Sequence, residues 1–158
     1  MSAATAFEAT ATVYLHPGQI HVTTEPVIVA TILGSCVSVC LWDPLARVAG
    51  VNHFLLPSTP LRGSEDMRFG NAAMEKLLDA MVQRGAVASR LLAKIFGGAC
   101  VMQGFSGPRQ AIGAQNVDIA REVLAQRGIR IAAEQTGGTR GRKLHFHTMN
   151  GSAYVKEI

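Results

Sequence analysis

The sequence predicts a three-layer α/β sandwich, built from a mixed, mostly antiparallel sheet and two main helices. Short β-branched or alternating apolar runs outnumber the segments with helical periodicity. The two helical segments both close on Gln-Arg-Gly and lead at once into an apolar strand, and Asn150-Gly151 joins two alternating runs as a hairpin turn.

In chain order, Met1 to Thr10 is small and polar and reads as a flexible tail, leaving one domain over residues 11–158. Thr12 to Leu15 is a short strand, His16-Pro17-Gly18-Gln19 a turn, and Val27 to Leu33 a β-branched strand ending at Gly34. Val37, Val39 and Leu41 then alternate with Ser38, Cys40 and Trp42 as far as Asp43-Pro44. The apolar segment Val48 to Leu56 returns toward Pro57, so the two runs form a hairpin. From Pro57 to Arg68 the chain is polar and aperiodic, long enough to border a site.

Met74, Leu77, Leu78, Met81 and Val82 share one face of a helix from about Gly70 to Arg84, with Gly85 where a left-handed cap belongs. Leu91 to Phe96 is a strand running into Gly97-Gly98, and Gln103 to Gln110 is a loop carrying Gly104, Gly107 and Pro108. The second helix covers about Asn116 to Arg127, with Val117, Ala120, Val123 and Leu124 inward, before Gly128 and the strand Ile129 to Ala133. Its Gln126-Arg127-Gly128 exit matches Gln83-Arg84-Gly85, read as shared cap chemistry rather than duplication. Leu144, Phe146 and Thr148, then Ala153 and Val155, alternate to the end of the chain.

Composition excludes several functions. A chain of 158 residues, 48% apolar, builds one core. No apolar stretch approaches the ~18 residues of a membrane span, and Met1-Ser2-Ala3-Ala4 lacks a signal peptide's basic start, so the expected compartment is the cytoplasm. Cys36, Cys40 and Cys100 are odd in number and show no paired spacing, which argues against a disulfide framework. The net charge of +4 is dispersed and almost free of interleaved aromatics, unlike a nucleic-acid surface. No phosphate-binding loop follows either glycine pair. His145 and His147 share a strand face without a third ligand nearby and read as a solvated face; neither a metal nor an organic cofactor is expected.

Cys36 stands apart from the other thiols. It follows Gly34-Ser35 at the end of an apolar strand, where a bend lifts the sulfur from the sheet edge and turns backbone N–H groups toward an incoming carbonyl. Free cysteine more often fills buried space. The hairpin, however, returns His53 to the level of Cys36, and an imidazole that takes the thiol proton makes sulfur a competent nucleophile.

Thr31-Ile32-Leu33-Gly34-Ser35-Cys36-Val37-Ser38-Val39-Cys40-Leu41-Trp42-Asp43-Pro44 and Gly50-Val51-Asn52-His53-Phe54-Leu55-Leu56-Pro57 resemble the active-site segment of the CheD chemoreceptor glutamine deamidases. Phe96-Gly97-Gly98-Ala99, Ile112-Gly113-Ala114-Gln115-Asn116, Gly128-Ile129 and Thr136-Gly137-Gly138-Thr139-Arg140-Gly141-Arg142 follow in the family's order, so the resemblance spans roughly Tyr14 to Val155. It implies an amidohydrolase that converts glutamines of methyl-accepting receptors to glutamate, with Cys36 as nucleophile, His53 as base and Thr31 as third member. The family's threonine can also stand one residue earlier, where this chain has Ala30, and such a shift reverses the strand face. Gly34, Ser35, Asn52, Gly97, Gly98, Gly137 and Gly138 are the expected substrate-side and oxyanion positions. For the glycine pairs, tight turns are the competing explanation. Receptor helices are the implied partner, with a chemotaxis phosphatase of the CheC type as a second. A receptor- or phosphatase-binding adaptor and a receptor methylesterase are the alternatives.

Overall fold

Alternating and β-branched runs become nine strands, and the two periodic segments become helices, among the described residues 10–101 and 111–158 of the computed structural model. The expected tail up to residue 9 and the expected loop Gln103 to Gln110 lie outside the described residues. The order is β1 (Ala11–Tyr14), β2 (Ile20–Thr23), β3 (Val27–Leu33), β4 (Val37–Asp43), β5 (Val48–Asn52), α1 (Gly70–Gln83), a 3₁₀ turn (Ala88–Arg90), β6 (Leu92–Gly97), α2 (Ile112–Gln126), β7 (Arg130–Thr136), β8 (Arg142–His147) and β9 (Ser152–Glu157).

The three layers are helices, a five-stranded sheet ordered β2-β5-β4-β6-β7, and a four-stranded sheet ordered β1-β3-β8-β9. All strand pairs are antiparallel except β1 with β3 and β6 with β7. The predicted class therefore stands, with the strands divided between two sheets rather than gathered in one. The division falls at Gly34 to Cys36, where the chain leaves β3 of one sheet and enters β4 of the other. Strand β4 is covered on both faces: Val37, Val39 and Leu41 pack toward the helices, Cys40 and Trp42 toward the second sheet.

Both helix exits behave as their sequences require. The N–H of Ala86 reaches Met81 O and that of Gly85 reaches Val82 O; Ile129 and Gly128 repeat the pattern onto Leu124 O and Ala125 O. These are Schellman closures, and Gly85 and Gly128 supply the left-handed residue each needs, at φ 103° and 67°. Other elements depart from expectation. Val82 is exposed, because the buried stripe of α1 runs through Ala73, Met74, Leu77, Leu78 and Met81. Helix α2 starts at Ile112, one turn before Asn116.

The β4–β5 hairpin fixes the register on which the site depends, and Asp43 holds its turn. One carboxylate oxygen accepts the N–H groups of Leu45 and Ala46, while the other accepts Val87 N–H and pairs with Arg90 at 3.0 Å. Burial works to raise the Asp43 pKa, but Arg90 and the three N–H donors overcome it and hold the group at about 2. A depressed folded-state pKa stabilises the fold above the unfolded value and loses that contribution as the pH falls through the folded one. In urea titrations the gap between wild type and Asp43→Asn should therefore be full at pH 5 to 7 and shrink steadily from about pH 4 toward pH 2. A gap independent of pH would mean that the carboxylate charge is not what secures the turn.

Candidate active site

Cys36 occupies the crossing between sheets, half-buried, with its thiol against the inter-sheet apolar cluster. Val37 and Phe54 exchange both backbone hydrogen bonds, at 3.1 and 3.0 Å, and farther along the same ladder Cys40 pairs with Val51. That common register sets Ser38 opposite His53 and makes Cys36 the diagonal neighbour of His53 on one face, a separation of ~7 Å or less between β-carbons.

His53 is 2% exposed, its backbone N–H on Gln19 O and its carbonyl accepting from Gly18 N–H. Its Nδ1 lies 2.8 Å from Thr31 Oγ1, and that hydroxyl is 2.7 Å from Leu15 O. A carbonyl only accepts, so the single hydroxyl proton goes to Leu15, and Nδ1–H donates to Thr31. The ring is thereby held as the Nδ1–H tautomer with the Nε2 lone pair bare, and Nε2 has no partner among the described residues. Burial, helped by the nearby His16, pushes the His53 pKa down to about 4, so the ring is neutral at neutral pH.

Thr31 is 1% exposed and faces inward with Val29 and Leu33, whereas Ala30 has the opposite parity. The hydroxyl at position 31 therefore meets the imidazole, with no local slip of register. Burial raises the Cys36 pKa, an effect that its own backbone N–H partly offsets. Thiol and imidazole are thus both neutral at rest, and Nε2 makes no hydrogen bond to the Cys36 sulfur. Cys40 is fully enclosed, and burial drives its pKa up much further, as befits a packing thiol.

The glycine-rich segments converge behind Cys36. Gly98 N–H donates to Cys36 O, Ala99 N–H to Gly34 O, Gly137 N–H to Gly97 O, and Cys100 N–H to Gly138 O. Gly97 and Gly98 are buried and Gly137 half-buried, so they form a backing, and only Gly138 of the four is exposed. At Gly97 the φ of 108° and a prospective β-carbon 2.2 Å from Cys36 O leave room for no side chain. Gly34 and Ser35 are half-buried beside the thiol. Asn52 is not brought into this group: its Oδ1 accepts Val39 N–H and its Nδ2 faces Met74 Sδ, on the helix side of the sheet.

Two residues enter the site that sequence reasoning gave no role. Asn116 Nδ2 donates to Ser35 O and to Leu55 O, both at 2.9 Å. Arg142, 5% exposed, donates to Gly97 O at 3.2 Å and Gly137 O at 2.8 Å. Each carried a signal in its periodicity. Asn116 lies on the stripe of Val117, Ala120 and Val123, and Arg142 has the inward parity of Leu144 and Phe146, so both are polar groups at core positions.

Among the described residues no group of three or more His, Cys, Asp or Glu is arranged to hold a metal, and no helix is long and apolar enough to cross a membrane. His145 and His147 lie on the outer face of the four-stranded sheet, where His147 packs edge-on against Tyr154.

Residues 55–157 match the family model for CheD chemotactic sensory transduction. The chain is 48% identical over 148 residues to a probable chemoreceptor glutamine deamidase CheD 1 of Anaeromyxobacter dehalogenans, covering 94% of this chain and 85% of that protein. A Geobacter sulfurreducens protein named probable chemoreceptor glutamine deamidase CheD 2 is 42% identical, covering 92% and 89%. A Sinorhizobium medicae protein named probable chemoreceptor glutamine deamidase CheD is 44% identical, covering 89% and 77%. A match over 94% of the chain extends through the Cys36 and His53 strands that the family model leaves out. On these grounds the chain belongs to the CheD family.

Proposed function

We propose that this chain is a chemoreceptor glutamine deamidase, hydrolysing side-chain amides of methyl-accepting receptors in the cytoplasm to glutamate and ammonia. The observation that carries the reading is the buried Thr31–His53 hydrogen bond, which leaves Nε2 bare on the face that holds Cys36. The relatives' names give the substrate class.

His53 Nε2 takes the Cys36 proton as sulfur attacks the glutamine carboxamide carbon. The resulting imidazolium gives that proton to the departing nitrogen, ammonia leaves, and a thioester joins Cys36 to the substrate. Water, deprotonated by His53, attacks the thioester; the tetrahedral adduct expels the thiolate, which recovers its proton from the imidazolium, and glutamate is released. Thr31 acts through His53, holding the tautomer that both half-reactions need. The Cys36 N–H, whose polarity favours negative charge at the sulfur, is the natural donor to the oxyanion. A chemotaxis phosphatase of the CheC type is proposed as a second partner.

Mass spectrometry of a purified receptor cytoplasmic fragment tests the activity: wild type should add about 1 dalton at specific helical glutamines, and Cys36→Ala should add none. An unmodified fragment, or full activity in Cys36→Ala, would overturn the assignment.

The pH profile tests the base. Because the His53 pKa is lowered, its basic form persists through neutral pH, so kcat/KM should stay level from pH 7 to about 5 and fall only as the pH approaches about 4. An acid limb near the ordinary histidine value of about 6.5 would show that the ring is not buried as described. Thr31→Val keeps the side chain's shape but removes the acceptor for Nδ1–H, and kcat should drop on the order of 10²-fold while the fold persists. Unchanged turnover in this variant would dismiss the tautomer-holding role.

A further inference from the structure

The polar group that reaches both halves of the site comes from neither sheet. We propose that Asn116, on α2, is a positioning residue for the reaction: its side-chain amide fixes the Ser35–Cys36 peptide so that the Cys36 N–H faces the carbonyl under attack. The proposal rests on Cys36 being the nucleophile.

Three observations support it. Asn116 is wholly buried, and Nδ2 places one proton on Ser35 O and the other on Leu55 O. Ser35 immediately precedes the nucleophile, and Leu55 lies two residues beyond the base, so one amide spans the two segments that must keep their spacing. In a trans peptide the C=O and N–H point in opposite directions, so tethering Ser35 O toward α2 directs the Cys36 N–H away from it. That N–H makes no backbone hydrogen bond among the described residues, and its polarity favours negative charge on its own sulfur. It therefore stands on the thiol side, where negative charge develops on the carbonyl oxygen.

The neighbouring peptide is pinned independently, Cys36 O by Gly98 N–H and Val37 N–H by Phe54 O. Rotation of the Ser35–Cys36 peptide is thus the freedom left in the turn, and Asn116 removes it. The placement also opposes folding in one respect, because Asn116 Oδ1 is buried without a partner among the described residues. An apolar residue at this point of the α2 stripe would avoid that penalty but would leave Ser35 O free to turn.

Alkylation of a thiol needs a nucleophile and no oxyanion donor, whereas attack on a carboxamide needs both. Asn116→Leu, and Asn116→Ser as a second variant should the first not fold, are compared with wild type by ammonia release from a receptor fragment and by iodoacetamide labelling of Cys36. Kcat should fall about 10- to 100-fold, with KM and the labelling rate within about threefold of wild type. A kcat within twofold of wild type, or labelling and kcat falling together, would overturn the proposal, the second result reducing Asn116 to a support of the thiol itself. Deamidation that survives Cys36→Ala would instead remove the nucleophile on which the proposal stands, and that control separates the two failures.

Discussion

The Thr31 hydroxyl joins the two sheets within a mostly apolar layer. Leu15, Val29, Leu33, Val51 and Leu144 fill the layer between the sheets, and a histidine buried there carries two ring nitrogens that must be dealt with. Thr31 deals with one, accepting a hydrogen bond from Nδ1–H and donating its own to Leu15 O. The contact is made across the layer, from β3 to the residue after β5, so it requires the sheets to be packed in one relative register. The same burial that costs solvation lowers the imidazole pKa to about 4 and keeps the second nitrogen as a bare lone pair. The packing of the sheets and the state of the imidazole are thus linked through one hydrogen bond: loosening that packing would release the ring.

The thiol side of the site is built by a different means, through close backbone approach. Three segments meet behind Cys36: the crossing turn, the end of β6 and the start of α2. Gly97 admits Cys36 O, and Gly113 allows the helix to come so near Gly98 and Ala99 that an added β-carbon would lie 2.5 to 2.6 Å from their carbonyl oxygens. Arg142 then holds the carbonyls of Gly97 and Gly137 from beneath. Backbone atoms have fewer ways to move than side chains, so this packing specifies where the sulfur sits more tightly than a ring of long side chains would.

Much of this was legible in the sequence, and the boundary between what was and was not is physical. The hairpin could be read because alternation and Asp43-Pro44 mark its turn, and register then follows from chain geometry, which is why Cys36 and His53 emerged as neighbours. The division into two sheets was hidden: β4 is covered on both faces, and its pattern carries no label for which layer lies on which side. Strand β2 was passed over, since it offers only Ile20 and Val22 as an alternating pair between a turn and the stronger β3. Asn52 followed the local sequence of His53 into the expected site, yet adjacent residues on a strand face opposite ways, and its amide serves the ladder instead. Thr31, by contrast, needed tertiary information. Only the position of β3 against β5 reveals which of residues 30 and 31 looks at the ring.

The resting site holds a protonated thiol and a neutral imidazole, and this combination bears on selectivity. A preformed thiolate–imidazolium pair would react with any accessible electrophile, whereas burial here disfavours both charged forms, raising the pKa of Cys36 and lowering that of His53. In the proposed chemistry, proton transfer becomes favourable only as a carbonyl arrives whose developing negative charge is met by the Cys36 N–H and balanced by the new imidazolium. The reaction thus depends on the substrate completing the electrostatics of the site, and a glutamine held out of line would leave the thiol inert. In the proposed deamidase, a nucleophile activated by correct placement discriminates among glutamines where a permanently charged one would not.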